Sequence, residues 1–132
     1  MTSPRSVVER HLALVSEGMS GELADDYALD AVVDLPFMPG GGLRLAGRQA
    51  LRAHFERAAT MPLTLRIANL VVYETPNPSV VIVEYDYEGR TTTTGETFTV
   101  ANVQIFGIAD GKIAWSRDYH DHAAIGAALS GR

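Results

Sequence analysis

Cysteine is absent from this sequence of 132 residues. That excludes a disulfide framework, a thiolate nucleophile and an iron–sulfur centre. Long apolar runs are absent too: none approaches the ~20 residues that a membrane-crossing helix needs. Positive charge is scarce, with 11 Lys and Arg against 16 Asp and Glu and a formal net charge of −5. No basic patch stands out, so nucleic acid is not an expected partner, and no membrane association is expected. The opening Met1-Thr2-Ser3-Pro4-Arg5 leads into an amphipathic segment interrupted by Glu9 and Arg10. It does not read as a signal peptide, and a cytoplasmic location is the expectation. No internal repeat or linker composition divides the chain, so a single domain over 1–132 is expected.

What the sequence does contain is enough apolar side chain for a real core, 46% of all residues. Ser3-Pro4 reads as an N-cap followed by proline at the first helical position. Val7, Val8, His11, Leu12, Leu14 and Val15 then recur at helical spacing until Gly18. Ser20 can cap a second, short helix through Glu22, Leu23, Ala24 and Tyr27. Ala31 to Phe37 reads as a short strand, in which Pro36 suits an edge or strand end, Met38 to Gly42 as a flexible loop, and Arg48 to Ala59 as a third helix. After Pro62 the period changes to two. Strands are expected over Thr64 to Glu74, Val80 to Glu88, Glu96 to Ile108 and Lys112 to Asp121. Asn77-Pro78, Gly89 to Gly95 and Asp110-Gly111 mark the turns between them. A short helix closes the chain. Helices first and strands after give an α+β class. The expected form is a cone: a curved, mostly antiparallel sheet wrapped around the N-terminal helices, leaving an apolar pocket.

The chemistry gathers in the last strand. Alternate strand side chains share a face, so Ser116, Asp118 and His120 point one way and Trp115, Arg117 and Tyr119 the other. If the first face lines the cone, a carboxylate and an imidazole stand side by side there. Burial raises a carboxyl pKa, which suits Asp118 to acid/base work near neutral pH. His11 is a lone histidine on an apolar helix face. Asn102 can donate through its amide to a carbonyl or enolate oxygen. Tyr85 and Tyr87 share a face, and Tyr87 reads as a core aromatic with its hydroxyl at the rim.

Two further patterns carry less. Gly42-Leu43-Arg44-Leu45-Ala46-Gly47-Arg48-Gln49 has the glycine spacing of a phosphate-binding loop, but Arg48 and Gln49 replace its lysine and hydroxyl residue. Asp118, His120 and His122 have side chains that ligate metals, yet His122 falls past the strand end. Neither a metal nor an organic cofactor is expected.

The order of elements and two local motifs resemble the nuclear transport factor two-like superfamily, from Val7 to Leu129. Within it the chain is most similar to SnoaL-like polyketide cyclases, ketosteroid isomerases and limonene-epoxide hydrolases. In the run Val7-Val8-Glu9-Arg10-His11, His11 stands where the isomerases carry a tyrosine. Leu35, before Pro36, stands at their base aspartate, and Asn102 at their acid donor. The base is thus missing, which argues against steroid isomerisation by that route. The run Ser116-Arg117-Asp118-Tyr119-His120-Asp121 is similar to the ending of the epoxide hydrolases, and Asp118 matches a catalytic aspartate there. Their Arg-x-Asp pair is replaced by Tyr85 and Tyr87. In the cyclases an aspartate at the end of the last strand is implicated, which is Asp118 or Asp121 depending on register. Asp34 lies one residue before the isomerase base position. One strand register turns it into the cavity and the other into solvent, and alternation with Val33 and Leu35 favours solvent.

The resemblance implies a cofactor-independent acid/base cyclase, isomerase or epoxide hydrolase acting on a small hydrophobic carbonyl compound or epoxide. Asp118, His120 and His11 are the candidate catalytic residues. Asn102, Tyr85, Leu35 and Asp34 are the candidate substrate-binding positions. The alternatives are a non-catalytic binding protein with the same pocket, or a dimeric scaffold. A homodimer is expected through the outer sheet face carrying Trp115, Arg117 and Tyr119.

Overall fold

Ser3 and Pro4 start the first helix as their chemistry requires. The Ser3 hydroxyl accepts the Ser6 amide at 3.1 Å, and proline takes the first position, where an N–H would have no partner. The computed structural model describes residues 3–130, so Met1, Thr2, Gly131 and Arg132 of the expected domain lie outside the described residues. Helix α1 runs Pro4–Glu17 and ends at Gly18, whose φ of 141° suits glycine. It buries Val7, Val8, His11, Leu12 and Val15 along one face.

The expected second helix is a 3-10 turn, Gly21–Asp26, capped by Ser20. It stops before Tyr27, which opens strand β1, Tyr27–Leu35. That strand starts four residues earlier than expected. A short strand that the sequence did not announce follows: β2, Leu43–Ala46. Only Leu45 is buried in it, so its own pattern is too weak to signal a strand. Its stability comes from antiparallel pairing with β1, from Val32 opposite Ala46 to Leu35 opposite Leu43. The glycine-spaced run is thereby absorbed into β2 and the start of α2, Arg48–Ala59. Arg48 spends its guanidinium on the Tyr27 carbonyl, with Nε at 2.9 Å.

Four long strands then build the sheet: β3, Leu63–Glu74; β4, Val80–Thr91; β5, Thr97–Ala109; and β6, Lys112–His120. Helix α3, His122–Leu129, follows. The sheet order is β2-β1-β6-β5-β4-β3. All neighbours are antiparallel except β1 and β6, which run parallel. The sheet is curved and unclosed. Bulges between Ala68 and Val71 in β3, and at Gly107–Ile108 opposite β6, add local bend and twist. α1 and α2 pack into the concave side, where Val8, Leu51, Val81, Val83, Phe106 and Ile113 form the densest core. No helix among the described residues is long and apolar enough to cross a membrane.

Candidate functional site

The β5–β6 hairpin decides which side chains meet. Its turn, Asp110-Gly111, has φ of 53° and 75°, the paired positive values of a type I′ turn. From there Ala109 faces Lys112 and Ile108 faces Ile113, and after the bulge Phe106 faces Ser116, Gln104 faces Asp118 and Asn102 faces His120. Ser116, Asp118 and His120 all point to the concave side and are buried, whereas Trp115 is 37% exposed on the other.

A cavity of about 410 Å³ lies between this face, α1, α2 and α3. Among the described residues Asp118 is the one carboxylate on its wall, and the chain's four histidines, His11, His54, His120 and His122, all reach it. The rest of the lining is mostly apolar, with Tyr27, Tyr85, Tyr87, Gln104 and Arg57 as further polar groups.

Asp118 accepts a hydrogen bond from the Ser116 hydroxyl at 2.9 Å. Burial pushes its carboxyl pKa up, while hydrogen bonds from Gln104 and Ser116 and the nearby His11 and His54 pull the other way. The Tyr85 hydroxyl donates to Gln104 Oε1, which leaves the Gln104 amide free to donate toward Asp118. The four groups form one hydrogen-bonded set around the carboxyl.

His120 is held by Asn102. Its Nδ1 lies 2.7 Å from Asn102 Oδ1, and the Asn102 amide nitrogen is occupied by the Val100 carbonyl. An amide oxygen only accepts, so Nδ1 carries the proton and Nε2 presents a bare lone pair. Nε2 stands 4.0 Å from Asp118 Oδ2, beyond hydrogen-bond length. Burial, with His122 and His54 close by, pushes the His120 pKa down to about 3. It is therefore a neutral acceptor at physiological pH and a weak proton store. The gap between it and Asp118 is wide enough for one oxygen atom to approach both.

His11 is fixed by a partner that sequence reasoning missed. Its Nδ1 is 2.7 Å from Asp26 Oδ2, and its Nε2 is 3.3 Å from the Tyr27 hydroxyl. Asp26 is also 3.4 Å from Arg10. Burial raises the Tyr27 and Tyr85 phenols well above their usual range, and pushes Tyr87 up to about 12. All three stay neutral donors.

Tyr85 and Leu35 line the cavity. Asn102 does not: it sits behind His120 and acts on it rather than on the cavity. Asp34 lies away from the cavity altogether. Its carboxylate meets the Arg44 guanidinium, with Nε at 2.8 Å, because the two face each other across the β1–β2 pair. That ion pair holds the Asp34 pKa low. Tyr87, expected with its hydroxyl at the rim, is buried on the cavity wall. Among the described residues no three His, Cys, Asp or Glu side chains are grouped to hold a metal ion. The sequence signal for Gln104 was its alternation with Asn102. For Asp26 and His54 no local pattern pointed to the cavity, and His122 stood beside Asp118 and His120 in the sequence only as a side chain of metal-ligating type.

Comparisons with known proteins fit this architecture. The model of the SnoaL-like domain family matches residues 8–116. An uncharacterised PhzA/B-like protein of Pseudomonas aeruginosa is 27% identical over 116 residues, covering 87% of this chain and 82% of that protein. A crystal structure of a provisionally assigned isomerase from Bacillus subtilis superposes with a TM-score of 0.84 at 21% identity, covering 96% of this chain and 91% of the other. One of a provisionally assigned polyketide cyclase from Xanthomonas campestris gives 0.79 at 20% identity, covering 96% of each chain. At these identities the two structural likenesses carry the fold.

Proposed function

The chain belongs to the family of SnoaL-like domains, and from that premise we propose that it is a cofactor-independent acid/base catalyst. It acts as a cyclase, isomerase or epoxide hydrolase on a small, largely apolar carbonyl compound or epoxide held in the cavity. The observation that carries the reading is Asp118: a carboxyl buried in an apolar wall, pushed toward its neutral form and held by Ser116 and its network.

In its neutral form Asp118 donates a proton to a carbonyl or epoxide oxygen lodged between it and His120. The carboxylate so formed then takes a proton from the reacting carbon, hydroxyl or water, and the residue returns to its starting state. His120 Nε2 accepts a hydrogen bond from the nucleophile or substrate hydroxyl and orients it. Tyr85 acts through Gln104, and Asn102 acts through His120; both are positioning residues. The Tyr27–His11–Asp26 line forms a second polar wall for the substrate.

The test is a thermal-shift screen over lactones, epoxides, enones and aromatic ketones, since a ligand stabilises by mass action. Turnover of the hits follows. Asp118→Asn should lower turnover by ~10²–10⁴-fold. Full activity in that variant would overturn the assignment and move attention to Asp121.

One observation favours a binding-only reading. Both ring nitrogens of His11 are engaged by protein groups, and His120 is a poor base, so Asp118 stands almost alone. Ligand stabilisation without turnover of any hit would support that reading.

We also propose that a second copy covers the outer sheet face. Across the strands Tyr73, Ile82, Ile105 and Arg117 lie in one row, with Val103 facing Tyr119 beside them. Tyr73, Val103 and Trp115 are exposed there.

A further inference from the structure

The cavity wall is poor in carboxylates although the chain is acidic. Sixteen acidic residues give the protein its negative charge, yet among the described residues one of them reaches the cavity wall, beside four imidazoles and Arg57. An uncharged ligand would leave the Arg57 guanidinium without a charged partner.

His54, Arg57 and His122 all line the cavity. His54 and Arg57 lie three residues apart on α2, which puts them on one helix face. His122 opens α3, its ring 5.8 Å from that of His120 and perpendicular to it. Its Nε2 is buried and has no hydrogen-bond partner among the described residues. Buried polar atoms are rarely left so. Arg57 has no carboxylate within ion-pair distance among the described residues. The two imidazoles and the guanidinium are close enough to feel one another: His54 is depressed by burial and then by Arg57 and His122.

We propose that Arg57, His54 and His122 form a subsite for a carboxylate, so that the ligand is an amphipathic organic acid. Its apolar skeleton fills the cavity, its carboxylate meets these three groups at the α2–α3 rim, and its reacting oxygen reaches Asp118. This rests on the reading of the cavity as a ligand site. Arg supplies paired N–H donors matched to a carboxylate, and His122 Nε2, once protonated, gains the partner it lacks.

The sign of the pH dependence follows. Both imidazoles titrate below the ordinary value in the free protein, His122 through burial. Arg57 on α2 opposes protonation of His54, as does a charged His122. Asp118 on β6 favours protonation of both imidazoles, and Asp121 at the cap of α3 favours that of His122. His11 on α1 has both nitrogens engaged and adds no free donor. A bound carboxylate raises both pKa values, so binding takes up protons and strengthens as pH falls from 8 to 6.

The probes are 2-naphthoate and 2-naphthamide, which share a skeleton and differ in the charged group. Calorimetry at pH 6, 7 and 8, in two buffers of different ionisation enthalpy, gives affinity and proton uptake. The acid should bind about tenfold more tightly than the amide at pH 6, with proton uptake and a smaller preference at pH 8. Arg57→Gln and His122→Gln should each remove most of that preference; melting temperatures check their folding. Equal binding of acid and amide overturns the subsite while the cavity reading stands. Binding of neither probe, with no hit in the neutral screen, overturns both.

Discussion

Asp118→Asn should make the protein more stable at neutral pH. The wild-type carboxyl is 7% exposed, and its nearest basic side chain is a neutral imidazole at 4.0 Å. Burial raises its folded pKa above the unfolded value. Such an acid binds its proton more tightly in the folded state. The resulting penalty is absent below the unfolded pKa, grows as pH rises, and is complete above the folded pKa. At pH 7 it cannot exceed ~4 kcal/mol, the cost of protonating an ordinary carboxyl at that pH. Asparagine keeps the acceptor for Ser116 but turns a donor toward the Gln104 amide, which costs about 1 kcal/mol. The net expectation is added stability at pH 7 to 8, below that ceiling, read as about 4 °C in Tm per kcal/mol. The gain should shrink to nothing, or reverse, near pH 4. Urea unfolding of both proteins across pH 4 to 8, followed by circular dichroism, measures it. A variant less stable than wild type at pH 8, or a difference that ignores pH, would refute the argument and make Asp118 a satisfied structural carboxylate.

The remaining predictions are independent of turnover. His120 should stay neutral with its proton on Nδ1 down to about pH 4, visible in imidazole ¹⁵N shifts, because its pKa is pushed to about 3; a midpoint near 6.5 would contradict the burial argument. Asp26→Ala should cost about 1–3 kcal/mol by leaving the buried His11 Nδ1 without its 2.7 Å partner. Asp34→Ala breaks only the exposed pair with Arg44 and should cost less than ~1 kcal/mol; equal losses in chemical denaturation would refute the contrast. Light scattering at micromolar concentration should give a dimer mass, and Val103→Glu should shift it toward monomer; a monomeric wild type would rule the interface out.

Much of the fold was local and therefore legible. Ser3-Pro4 and Gly18 bound α1 because capping is a matter of a few adjacent residues. The period change after Pro62 marked the long strands, and alternation alone put Ser116, Asp118 and His120 on one face. What alternation cannot supply is the partner across the sheet. Continued straight from the Asp110-Gly111 turn, the β5–β6 register would set Asp118 against Val103. The bulge admits Ala114 as an extra residue, so Gln104 faces Asp118 instead. Trp115 folds over Gly107 at this point, where a Cβ would lie 2.0 Å from its indole nitrogen. One residue of slip exchanges the two faces of a strand, so that bulge gives the carboxyl an amide neighbour. Asp26 against His11, Asp34 against Arg44, and His54 and His122 beside Asp118 were likewise decided by packing. Sequence period fixes which side of its own element a residue takes. Which residues it meets there, and how far from water, depends on contacts between elements that only the folded chain makes.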